Sequence, residues 1–100
     1  MFSLDKFDGF DWDEANQDKN WRKRRVYFRE CEEIFSHTPL LVTINRSHSV
    51  KEIRWQALGK TEQSRLLFLV FTIRNNKLRV ISARDMSRKE RKIYAQNKTI

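Results

Sequence analysis

One hundred residues, 39% hydrophobic and 12% aromatic, suffice for one core and leave too little area for a second, so a single domain over residues 1–100 is expected. The longest apolar run, Leu66 to Ile73, falls well short of the roughly 20 residues that cross a bilayer, and there is no basic-then-apolar export signal. A lone cysteine, Cys31, excludes an internal disulfide, and the formal charge of +8 favours a polyanionic partner.

That charge is unevenly placed. Residues 1–18 carry six acids (Asp5, Asp8, Asp11, Asp13, Glu14, Asp18) against Lys6, whereas the other 20 lysines and arginines lie in residues 19–100 beside only 7 acids. A strongly cationic body gains from binding phosphates because condensed counterions are released. Nucleic acid fits this better than a membrane surface, since no basic amphipathic anchor is present. The predicted location is the cytoplasm.

In chain order, Phe7 to Trp12 reads as a short strand or extended arm ending at Asp13, a good helix N-cap, and the first helix runs from there to about Lys23. After Arg22 to Arg25, the stretch Tyr27 to Phe35 places Phe28, Cys31 and Phe35 on one face of a second helix, which stops before Pro39. Leu40 to Ile44 reads as a strand. Glu52 to Ala57 reads as another, with Ile53, Trp55 and Ala57 facing the core and Glu52, Arg54 and Gln56 facing out.

Leu66 to Ile73 is apolar on both faces and predicts a central strand covered on each side. Asn75-Asn76 supplies the two residues that tolerate positive φ in a tight hairpin, so Arg74 should pair with Lys77 and Thr72 with Arg79 on one cationic face. Lys77 to Arg84 returns beside it. Ser87 and Glu90 have capping-box spacing and predict a final helix. The fold class is therefore α+β: an arm, two helices, a mainly antiparallel four-stranded sheet and a C-terminal helix.

The common phosphate-loop, dinucleotide and nucleophile-elbow motifs are absent. The nearest approach to a metal site is Asp11, Asp13 and Glu14, which helix capping and the helix dipole also explain, so no cofactor or metal is expected. What remains is phosphate chemistry with arginine. Cleaving RNA through its own 2′-hydroxyl needs a base, an acid and cations to hold charge on phosphorus. Arg54, Arg65, Arg74, Arg79 and Arg84 lie on or beside predicted strands, where guanidinium forks are held firmly.

Glu52 is the first candidate for the base, although a Glu beside Arg on a strand is also the pattern of a surface salt bridge. Tyr94, His37 and His48 are further acid or base candidates; equally, the histidines fit a helix end and a polar loop, and Tyr94 fits the core. Lys23, Arg24 and Lys77 are candidates for RNA contact.

The block Glu52-Ile-Arg-Trp-Gln-Ala-Leu-Gly59, then Arg65-Leu-Leu, Phe71-Thr-Ile-Arg74, Ile81-Ser-Ala-Arg84 and Arg88-Lys-Glu-Arg-Lys-Ile-Tyr94, resembles the second half of BrnT-type ribonuclease toxins. Phe10-Asp-Trp-Asp13 and Asn20-Trp-Arg-Lys23 resemble their opening. The resemblance implies a RelE-like fold, metal-independent RNA cleavage that inhibits translation, and neutralisation by a ribbon-helix-helix antitoxin in a toxin–antitoxin hetero-oligomer. It places Glu52, Arg54, Arg65, Arg74, Ser82 and Arg84 at positions for base or phosphate contact. One departure stands out: family members follow Asn-x-x-Lys with His-Gly, whereas Arg24-Arg25 follows Lys23 here. The alternative reading is a non-catalytic module that binds RNA or the antitoxin.

Overall fold

A computed structural model of the chain describes residues 2–46 and 51–97; His48 lies outside them. Helices α1 (Glu14–Arg24) and α2 (Phe28–Ile34) precede strands β1 (Leu41–Ile44), β2 (Trp55–Lys60), β3 (Leu66–Arg74) and β4 (Lys77–Asp85), and α3 (Arg88–Asn97) follows. The strands form one antiparallel sheet in the order β1-β2-β3-β4. This is the α+β order expected from periodicity.

One face of the sheet is the core. Ala57, Leu67, Leu69, Phe71, Leu78 and Val80 are fully buried there against Val26, Cys31, Ile34 and Phe35 from the α2 side. The helix can come this close because Gly59 has no side chain: a Cβ there would stand 2.9 Å from Cβ of Ile34. Aromatic residues of the N-terminal arm close the core, Phe2 stacking near Phe7 and Phe71 and Phe10 near Phe35, with ring centroids 5.4 to 5.9 Å apart.

The arm also protects an edge. β4 would otherwise present unpaired backbone groups, but the Leu78 amide donates to the Gly9 carbonyl at 3.0 Å and the Leu78 carbonyl accepts from the Asp11 amide at 2.8 Å. Gly9 takes φ +105°, a conformation side chains disfavour, to bring the arm alongside.

The hairpin forms as its sequence predicts. Asn75 and Asn76 have φ of 51° and 62°, and Arg74 pairs with Lys77 and Thr72 with Arg79. Further along, Val70 pairs with Ser82 but Phe71 with Val80, so Ile81 is an extra residue in β4. This bulge reverses the alternation: Lys77 and Arg79 share the second face with Ser82 and Arg84, although simple counting would separate the two pairs.

Two expectations need correction. The second strand begins at Trp55, not Glu52, and Ile53 is 56% exposed, not in the core. The ladder ends early because the buried Thr72 hydroxyl needs a partner and donates to the Ile53 carbonyl at 2.8 Å, drawing residues 52–54 along β3. The central strand is also not equally covered on both sides: Leu67, Leu69 and Phe71 are buried, whereas Leu66, Phe68 and Val70 opposite are half-buried.

Among the described residues, α3 roofs one end of that second face. α3 begins with the predicted reciprocal cap, the Glu90 amide donating to Ser87 Oγ at 3.2 Å and the Ser87 amide to Glu90 Oε1 at 2.8 Å. Ile93 and Glu90 then border a groove with Leu41, Leu58 and Phe68 of the sheet. The opposite end, near the Asn75-Asn76 turn, carries the charged side chains.

Candidate nucleic-acid interface

At the turn end of the second face the structure gathers Glu52, Arg54, Arg74, Lys77 and Arg79. Arg74 grips Glu52 with two bonds, Nη2 to Oε1 at 2.9 Å and Nε to Oε2 at 3.1 Å. The Glu52 carboxyl is held below the usual carboxylate range, first by those Arg74 bonds and then by the charges of Arg74, Arg54 and Arg79. Arg54 is fixed through its backbone, its carbonyl accepting from the Asn45 amide at 2.8 Å. Arg79 lies under the arm, bonded to Asp11 at 3.3 Å and to Asp13. Asp11 and Asp13, two of the three acids considered for a metal, thus hold a guanidinium.

Two other predicted arginines stand apart from this group. Arg84 lies flat over the Phe68 ring, 4.1 Å from its centroid, and pairs with Glu90 of α3 through bonds of 2.7 and 2.9 Å. Arg65 reaches to the helical side: it forks onto Asp85 at 2.8 and 3.2 Å, contacts Glu30 at 3.0 and 3.1 Å, and donates to the carbonyls of Arg25 and Arg24. This guanidinium joins β3, β4, α2 and the end of α1. Its pKa is raised, foremost by the Asp85 bond, as expected for a group holding the fold.

Tyr94, expected among the catalytic groups, is 2% exposed and donates its hydroxyl to the Pro39 carbonyl at 2.6 Å. Burial raises its pKa. His37 closes α2, its Nδ1 2.9 Å from the Glu33 carbonyl.

Lys23, Arg24 and Ser82 come together elsewhere. With Lys19 and Asn20 they line a cleft of about 160 Å³ between α1 and the outer edge of β4, beside the bulge. Lys19 Nζ donates to the Ile81 carbonyl at 3.1 Å and bridges helix to strand. Lys19 was not singled out from the sequence, although Lys19 and Lys23, four apart on a helix, necessarily share a face.

Together these features define a small α+β protein with a basic second face and a cationic edge cleft. The fold resembles that of the Brucella abortus ribonuclease toxin BrnT, with a TM-score of 0.57, 23% sequence identity, and coverage of 80% of this chain and 97% of that one. The sequence pattern of the family described as "Ribonuclease toxin, BrnT, of type II toxin-antitoxin system" matches residues 12–90, and the chain belongs to that family. Comparison with curated proteins gives no match.

Proposed function

We propose that this chain is an RNA-cleaving toxin that works without a metal, arrests translation, and is neutralised by a ribbon-helix-helix antitoxin. The observation supporting it is the group of Arg54, Arg74 and Arg79 around Glu52 at the turn end of the sheet, in a chain of the BrnT family. Strands β3 and β4 hold the Arg74 and Arg79 forks, which suits them to bind a phosphodiester and stabilise the charge developing on phosphorus.

Glu52 takes the 2′-hydroxyl proton, the 2′-oxygen bonds to phosphorus, and the bond to the 5′-oxygen breaks, that oxygen gaining a proton from solvent. Arg74 links binding to chemistry. Its two bonds are the largest cause of the low Glu52 pKa, so a phosphate that draws Arg74 away makes Glu52 more basic when it is needed.

A second reading has its own support. Arg74, Arg79 and Arg84 each already hold a carboxylate, as expected of a face that binds RNA or an antitoxin without turnover. One assay separates the two readings. Purified protein incubated with RNA in EDTA should release fragments with 2′,3′-cyclic phosphate ends under the first; RNA retained intact at high protein concentration, with salt-dependent binding, overturns it in favour of the second.

A further inference from the structure

We infer that the cleft between α1 and the β4 bulge is a phosphate subsite, distinct from the Glu52 group, that seats one tetrahedral phosphate of a bound RNA strand. The inference rests on the RNA-handling reading but on different residues. Three observations lead to it.

First, Asn20 is 4% exposed and its Nδ2 is buried without a hydrogen-bond partner among the described residues. A buried amide donor is costly to leave unsatisfied, and this residue lines the cleft. A small turn of the side chain toward the cleft would bring this donor to an acceptor bound there.

Second, the lining offers donors and cations. Lys19, Lys23 and Arg24 contribute three positive charges, and the Ser82 hydroxyl can donate. Among the described residues the side chains of Lys23 and Arg24 have no acidic partner, in contrast to Arg65, Arg74, Arg79 and Arg84. Around Glu52 the acids Asp11, Asp13 and Glu52 nearly balance Arg54, Arg74, Lys77 and Arg79, whereas no acid among the described residues lines the cleft.

Third, the position suits a linear polyanion. The cleft's volume of about 160 Å³ equals roughly five waters at ~30 Å³ each, ample for a phosphate. Ser82 follows Arg79 by three residues on β4, about 10 Å along a strand, so one RNA strand can lie across both places. The bulge at Ile81 puts Ser82 on the same face as Arg79.

The test uses the full chain labelled with 15N. Inorganic phosphate and, separately, a 2′-deoxy dinucleotide that cannot be cleaved are titrated while the Asn20 side-chain amide is followed by NMR. Both probes should shift that amide saturably, the dinucleotide binding more tightly and weakening with salt. Lys23→Gln should weaken binding by about tenfold, roughly 1.4 kcal/mol. Asn20→Asp should abolish it; should that variant fail to fold, Ser82→Ala supplies the second loss, of several-fold.

Arg74→Ala should leave phosphate binding at the cleft unchanged. An Asn20 amide indifferent to both probes, or shifting equally with chloride, overturns the subsite, as does an affinity that Lys23→Gln leaves unchanged. Free phosphate binding without dinucleotide binding would assign the cleft to a small anion and also refute the RNA subsite. Phosphodiester binding here in a protein that never cuts RNA would leave the subsite standing and remove only the nuclease reading.

Discussion

Replacing Arg65 by alanine should destabilise the fold while leaving RNA work almost untouched. The Asp85 carboxyl that receives the fork is 64% exposed, so that pair contributes only about 0.2–1 kcal/mol. Glu30 is 25% exposed and, with the Arg25 carbonyl at 2.8 Å, loses partners it cannot fully recover from water, a cost of about 1–3 kcal/mol. The combined loss is about 2–3 kcal/mol, or a fall in Tm of about 10–20 °C for a domain of this size. Urea unfolding of wild type, Arg65→Ala and Arg65→Lys checks it; the lysine keeps the charge but not the fork and should lose about half as much. RNA affinity, measured where every variant is folded, should change by less than about twofold. Unchanged stability with a large loss of RNA affinity would show that Arg65 contacts phosphate and that its role as a fold-holding group is misread.

Tyr94→Phe removes only the hydroxyl bonded to Pro39 and should cost about 1 kcal/mol in urea without altering RNA cleavage; a large loss of cleavage would return Tyr94 to the chemistry. Gly59→Ala forces a methyl against Ile34 and should destabilise by about 1–3 kcal/mol, read from the shift in urea midpoint. Asp85 and Glu90 have folded pKa values below their ordinary ones, foremost through Arg65 and Arg84 respectively. Their stabilisation is present above the unfolded values near 4 and is lost as pH falls through the folded values, so the urea midpoint should drop below about pH 4, less steeply in Glu90→Gln. Burial pushes the Cys31 thiol up to about 12, so it should resist a thiol reagent at pH 8 until the chain unfolds.

The helices, the hairpin and the Ser87 cap were readable because each depends on neighbours in sequence. The Asn75-Asn76 turn fixed the pairing of Arg74 with Lys77 and Thr72 with Arg79, and the structure has that pairing. The Ile81 bulge left no comparable mark, and without it Arg84 and Arg79 count onto opposite faces. Ile53 was misplaced because alternation continues through it, while the tertiary bond from Thr72 takes its carbonyl out of the strand.

The site was legible in part. Glu52 and Arg74 were recognisable as neighbours, but which carboxylate each arginine would hold depends on contacts between distant segments, as with Arg65 and Glu30 or Arg79 and Asp13. The edge cleft was hidden for the same reason: Asn20 and Ser82 meet only when α1 docks on β4.

The most direct measurement of the central claim is the single-turnover cleavage rate of an end-labelled RNA in EDTA by wild type and by Arg74→Ala, both shown to be folded. The open-face mechanism predicts a loss of about 10²–10³-fold, the effect of removing one preorganised donor from a charged transition state. A rate within twofold of wild type would contradict it.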